Sequence, residues 1–251
     1  VEEVNITNHE DYDLFDPKPS TDGPTPLAYA LDIDFVDRPR RLGAPVLVGT
    51  DAVFVVDFSG STWDHFGGTP VGDLNGDGDS DTILDAEIAG FIAMNNDLIA
   101  RGLGDISLIS IVAFDSSAYQ VDMDPAAAGV QLATTPNADA DSDGVRDVEQ
   151  VLRSLDYGGS TNFEAALQAA ISTINTLGNA AEGNVVFLSD GYPNTGGSYT
   201  DEVATLNSMG VNVRAFGVGT GASLPSLQVI DPSAVIFTST DELLGILGGG
   251  G

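Results

Sequence analysis

The sequence predicts an α/β domain with a mostly parallel central sheet, helices on both of its faces, and Asp-rich loop insertions. Three observations carry this. Short runs of β-branched and aromatic residues alternate with longer stretches whose apolar residues recur at helical spacing, the order that builds parallel strands joined by helical crossovers. The runs are nearly continuous rather than alternating, as strands covered on both faces are. Side chains that suit a hard cation stand at the carboxyl ends of these runs, the edge at which open α/β sheets bind ligands.

Residues 51 to 57, Asp-Ala-Val-Phe-Val-Val-Asp, form the first strand, and a polar insertion from Thr62 to Thr82 separates it from a helix. That helix is predicted from Ile83 to Arg101, where Ile88, Phe91, Ile92, Leu98 and Ile99 share helical spacing and Gly102 provides the stop. Ile106 to Phe114 reads as a buried central strand, followed by a polar turn at Asp115 to Ser117 and a short edge strand through Met123. Val145 to Leu155 and Phe163 to Leu177 read as helices. Asn184 to Ser189 is a strand, Tyr199 to Met209 a helix, Val211 to Gly217 a strand, Ala234 to Thr238 the last strand and Asp241 to Leu247 the last helix.

Residues 1–49 differ: they are rich in Pro and Asp and contain Arg38, Arg40 and Arg41, the basic cluster of the chain. They are expected to form an extended arm or linker that packs Leu31, Ile33, Phe35 and Val36 against the domain at 50–247. Val1 and the Gly-rich tail 248–251 are read as cuts through a longer polypeptide.

The formal net charge of −30 disfavours partners with phosphate backbones or anionic membrane surfaces, so neither nucleic acid nor direct membrane insertion is expected. Self-repulsion on that scale calls for bound cations or high salt. No disulfide is possible, because there is no Cys. No apolar stretch reaches membrane-spanning length.

Three segments carry the chemistry: Asp57-Phe58-Ser59-Gly60-Ser61 after the first strand, Gly158-Gly159-Ser160-Thr161-Asn162, and Ser189-Asp190-Gly191 after a later strand. Two carboxylates and three hydroxyls make an all-oxygen set that suits Mg²⁺, Mn²⁺ or Ca²⁺ and suits Zn²⁺ poorly. So few formal charges leave the ion electrophilic, with a position open to an external carboxylate.

Two further loops space oxygen side chains as calcium loops do, with Gly at the sixth position. The first is Asp73, Asn75, Asp77, Asp79 and Asp81, with Leu84 at the twelfth position and Asp85 next to it; the second is Asp139, Asp141, Asp143, Val145 and Asp147, with Glu149 and Gln150 near the closing position. Ca²⁺ is the expected ion of both. A nucleophile motif is missing. His9 and His65 stand in polar segments, so an enzyme is not expected; a metal-assisted hydrolase would need His65 or Asp64 as its base.

Asp57, Ser59, Ser61, Thr161 and Asp190 resemble, in order, the metal-ion-dependent adhesion site of the von Willebrand factor type A family, whose fold is Rossmann-like. The resemblance covers about residues 50 to 247. It implies that Ser59, Ser61 and Thr161 bind Mg²⁺ or Mn²⁺ (Ca²⁺ is a third option) directly, and that Asp57 and Asp190 hold it directly or through water. The Asp-rich loops, the stretch Val213 to Leu224 and the stretch Asp231 to Leu243 are similar to type A domains of giant bacterial repeats-in-toxin adhesins. That similarity implies an extracellular, cell-surface module, monomeric within a longer chain, that binds a protein or glycan through a carboxylate or a sugar oxygen. The alternative is a structural or assembly module in which the metals only rigidify loops.

Overall fold

A computed structural model describes residues 51–124, 127–178 and 183–247. The arm and the Gly-rich tail expected at the two ends lie outside them.

The chain runs β1 (Asp51–Asp57), a 3₁₀ turn (Gly60–Trp63), α1 (Ile83–Ala100), β2 (Ile109–Phe114), β3 (Ala118–Gln120), α2 (Asp147–Arg153), α3 (Phe163–Leu177), β4 (Gly183–Ser189), α4 (Thr200–Ser208), β5 (Asn212–Val218), α5 (Leu224–Ile230), β6 (Val235–Phe237) and α6 (Thr240–Leu247). The six strands form one sheet in the order β3-β2-β1-β4-β5-β6, parallel except for the antiparallel edge pair β2 and β3. This is the doubly wound order, in which the chain leaves β1 in both directions. Its switch point lies between β1 and β4.

Strand periodicity divides the core. Ala52, Phe54 and Val56 of β1 face Leu84, Ile88 and Phe91 of α1, together with Val151 and Leu152 of α2 and Leu243 and Leu247 of α6. Val53 and Val55 face the opposite way, onto Phe163, Leu167, Ala170 and Ile174 of α3, Leu206 of α4 and Leu227 of α5. Both faces of β1 are therefore dry, which accounts for its unbroken apolar run. Phe54 stacks on Phe91 with ring centroids 4.6 Å apart, fixing α1 across the strand that carries Asp57.

Helix termini follow local chemistry. Thr82 caps α1: its hydroxyl accepts the Asp85 N–H while the Asp85 carboxylate accepts the Thr82 N–H, a reciprocal capping box. The helix ends where Gly102 takes φ +79°, with its N–H on the Ile99 carbonyl. Strand β2 begins later than Ile106, which is exposed; the Ser107 N–H returns to the Leu103 carbonyl, so the chain is still turning there. Among the described residues no helix is long and apolar enough to cross a membrane.

Candidate metal-ion site

The register between β1 and β4 ends at Val56 opposite Leu188, and beyond it the two strands part. Asp57 closes β1 and Asp190 follows β4, so both carboxylates emerge at the mouth of the switch point. Asp57 is fully buried. Its Oδ1 accepts the Ser59 N–H at 2.9 Å, and its Oδ2 accepts the Ser189 hydroxyl at 2.6 Å. Ser189 in turn accepts the Gly191 N–H at 2.9 Å, tying the Asp190 turn to the Asp57 carboxylate.

The hydroxyls gather beside it. Thr161 Oγ1 donates to Ser59 Oγ at 2.9 Å, and Ser59 Oγ lies 3.4 Å from Ser61 Oγ. The 3₁₀ turn places Ser59 and Ser61 on one side of the loop: Thr62 donates both its N–H and its hydroxyl to the Ser59 carbonyl. Two backbone bonds zip this loop to the Thr161 loop, Gly60 N–H to Gly159 C=O at 3.0 Å and Gly158 N–H to Phe58 C=O at 2.8 Å. Asn194, beyond Asp190, accepts the Thr161 N–H through its side chain and donates its own N–H back to the Thr161 carbonyl. Three loops are thus cross-braced around Thr161.

Two glycines are required here. Gly159 has φ +72°, and a side chain on it would run into the Asp115 carboxylate; Gly191 has φ +83°, and a Cβ there would overlap the Ser223 backbone. Asp115 belongs to the turn after β2, which also supports the Thr161 loop by accepting the Asn162 N–H.

The electrostatics ask for a cation. Burial, and secondarily the nearby Asp190 charge, outweighs the Ser189 and Ser59 hydrogen bonds and raises the Asp57 carboxyl to about 7. Glu87, buried on α1, accepts the Asp57 N–H on Oε2 at 2.9 Å, and its carboxyl is pushed well above the usual range by burial and then by Asp57. No positive side chain contributes at either group. The arginines of the described residues pair elsewhere: Arg101 with Asp97, Arg153 with Glu149, Arg214 with Asp231, and Arg146 with Asn96.

The donor set fits a divalent metal. Adjacent ligands in a regular octahedron stand about 2.9 Å apart around Mg²⁺ and about 3.4 Å around a Ca²⁺-sized ion, from their usual metal–oxygen lengths. The hydroxyl spacings of 2.9 and 3.4 Å span that range. When bound, such an ion supplies a Lewis-acidic position for an external oxygen ligand. Ser59, Ser61 and Thr161 would hold it with three neutral oxygens at the mouth, with the Asp57 and Asp190 carboxyl groups behind them.

Both Asp-rich loops turn back on their first Asp. In the first, Asp73 accepts the N–H groups of Gly76 and Gly78, and Asp77 accepts that of Asp79; Asn75 donates to Asp77 and to the Leu155 carbonyl. Asp81, at φ +60°, accepts from Val71 and Gly72, and Asp85 accepts from Leu74 as well as capping α1. In the second, Asp139 accepts from Asp143 and Gly144, and Asp143 accepts from Val145. Asp147 is buried, accepting from Ala140 and Thr134. Gly78 and Gly144 hold φ +99° and +90°, the reason each loop has Gly at its sixth position. Among the described residues, one trio of carboxylates brings oxygens within 4.8 Å of one another, namely Asp139, Asp141 and Asp143.

The family model for the von Willebrand factor type A domain matches residues 120–245, half of the chain. The chain belongs to the von Willebrand factor type A family. The matched span holds Thr161 and Asp190, whereas Asp57, Ser59 and Ser61 precede it and are joined to it by the sheet. No curated protein gives a significant match. Among solved structures, the type A fold is shared with manganese-loaded TRAP protein of Plasmodium vivax (TM-score 0.53, 16% identity, 80% of this chain and 72% of that one). It is also shared with proximal thread matrix protein 1 of the mussel byssus, with a zinc-occupied MIDAS motif (0.55, 18%, 81% and 47%). A third is the pilus adhesin SpaC of Lactobacillus rhamnosus GG (0.54, 16%, 80% and 30%). The chain thus spans less than half of the last two proteins.

Ser189, Asn194, Asp115 and Glu87 escaped the sequence reading. Ser189 stands in the Ser189-Asp190-Gly191 segment, but its bond to Asp57 leaves no spacing to find it by, and Glu87 lies within an apolar helix.

Proposed function

We propose that this type A domain is a metal-dependent adhesion module in which Asp57, Ser59, Ser61, Thr161 and Asp190 hold Mg²⁺ or Mn²⁺ and an external oxygen ligand completes the ion's shell. The observation that carries the reading is the hydroxyl chain Thr161–Ser59–Ser61 at the mouth of the sheet, in front of a buried carboxylate with no positive side chain beside it. Similar structures, which include a pilus adhesin and manganese- and zinc-loaded proteins, support a divalent cation in a binding role.

The finer assignment is ours as well. The ligand is a protein carboxylate or a sugar oxygen on a neighbouring surface. Asp139, Asp141 and Asp143, with the Val145 carbonyl and Asp147, take Ca²⁺. Asp73, Asn75, Asp77 and Asp79, flanked by Asp81 and Asp85, take a second. A net charge of −30 suits a calcium-rich or saline exterior, in keeping with a secreted bacterial surface adhesin of the repeats-in-toxin type, present as one module of a longer chain. Binding rather than catalysis is the role: His65 accepts the Gly67 N–H on Nδ1 and is the one imidazole among the described residues.

Thr161→Ala tests this. It removes one neutral ligand at the mouth. The variant should keep its secondary structure by circular dichroism and lose metal affinity by at least about tenfold, the lower end of what losing a supporting partner costs. Metal-dependent attachment to cell-surface material should fall with it. Equal affinity and equal attachment by the two proteins would overturn the reading.

A further inference from the structure

We propose that Glu87 is a sixth residue of the metal centre, fixing the Asp57 main chain from the α1 side and reserving its free Oε1 for the cation or for one of the cation's waters. This rests on the adhesion-site reading and adds a residue to it.

Glu87 is a carboxylate-bearing residue with no solvent exposure, on a helix face whose other members are apolar: Leu84, Ile88 and Phe91 lie in the same cluster against β1. Such a position is unfavourable for a carboxyl group unless its oxygens are paired. One oxygen is. Oε2 accepts the Asp57 N–H at 2.9 Å, one residue past the point where the β1–β4 register ends. Glu87 therefore takes a backbone donor just where the two strands part, and the opening it stabilises is the one into which Ser189 Oγ and the Asp57 carboxylate gather.

The other oxygen has no hydrogen-bond partner, although it is buried. Nearly all buried polar atoms are satisfied, and an exception in a native fold is explained by an ion, a water or a mechanistic role. The charges that act on Glu87 are those of Asp57 and Asp190, the two carboxylates of the adhesion site. No positive side chain among the described residues offsets them. A purely structural role needs only an acceptor for the Asp57 N–H, which Gln supplies without charge. A role toward a cation needs the carboxylate.

The test is Mn²⁺ affinity by titration calorimetry for wild type, Glu87→Gln, Glu87→Met and Thr161→Ala, with circular dichroism and the melting temperature in chelator as fold controls. Mn²⁺ binding at this site is the component that Thr161→Ala removes. Glu87→Gln keeps the acceptor, and should fold while losing about 10–100-fold in that component. Glu87→Met keeps the volume and provides the second reading if Gln disturbs the pocket. An affinity within about twofold of wild type in either folded variant, alongside a clear loss in Thr161→Ala, overturns the role of Glu87 and leaves the adhesion site standing. Unchanged binding in Thr161→Ala removes the site itself, and this proposal with it.

Discussion

Asp57 does two things that conflict without a metal. Its carboxylate is buried at the end of a central strand, yet a cation needs it ionised. With the carboxyl raised to about 7 from 3.8, the metal-free fold holds the proton more tightly than the unfolded chain does. The stability due to this group is then complete below the unfolded value and is lost as pH rises toward 7. In chelator, the melting temperature of wild type minus that of Asp57→Asn should fall between pH 4 and pH 7, a comparison that cancels the titrating groups not coupled to Asp57. A difference independent of pH would contradict this. Gly191 belongs to the same scale. At φ +83° and against the Ser223 backbone, Gly191→Ala should lower stability by about 1–3 kcal/mol, measured by urea unfolding. No loss would mean the turn has room that its geometry denies.

At the scale of elements, the strands and long helices were legible because burial on both faces leaves an uninterrupted apolar run and α1 repeats its apolar residues over many turns. Val145 to Leu155 contracted to Asp147–Arg153, because the Asp-rich loop holds the Val145 N–H on Asp143 and Arg146 is the extended N-cap residue before the helix. Helix α5 was not foreseen. Its seven residues are too few to show a period, and Pro225 reads as a breaker, although proline in the first turn is compatible with a helix. Asp85 shows why spacing alone misleads: a residue sought as a loop's closing ligand is also the N3 partner of the Thr82 cap. Of the candidate site, the sequence offered five positions, each following a strand or a Gly turn, and the structure brings the hydroxyls of three of them, Ser59, Ser61 and Thr161, together. The parts played by Ser189 and Asn194 were not legible, since supporting hydrogen bonds leave no spacing in the sequence. Thr82→Ala should destabilise α1 by about 1 kcal/mol in chelator. The same substitution should leave Mn²⁺ affinity within about twofold, well short of what losing a supporting partner of the metal costs. A large affinity loss would mean that the cap and the site are one unit.

Over the whole molecule, charge decides behaviour. A chain of net charge −30 is destabilised by its own repulsion, and bound cations relieve this directly. A site held at one hundred times its dissociation constant adds about 2.7 kcal/mol. For a domain of this size that corresponds to about 5–10 °C in melting temperature. Chelation at fixed ionic strength should lower the melting temperature on that scale, and Asp141→Asn should remove part of the calcium response while Thr161→Ala leaves it. An unchanged melting curve after chelation would rule out calcium in the Asp-rich loops.

The central claim is that three loops converge on one divalent cation in front of Asp57. A crystal structure determined with Mn²⁺, with anomalous differences collected at the manganese edge, tests it most directly. The account predicts a peak bonded to Ser59 Oγ, Ser61 Oγ and Thr161 Oγ1, with a position left for an outside oxygen. Density confined to Asp139, Asp141 and Asp143, with none between Ser59 and Thr161, would contradict it.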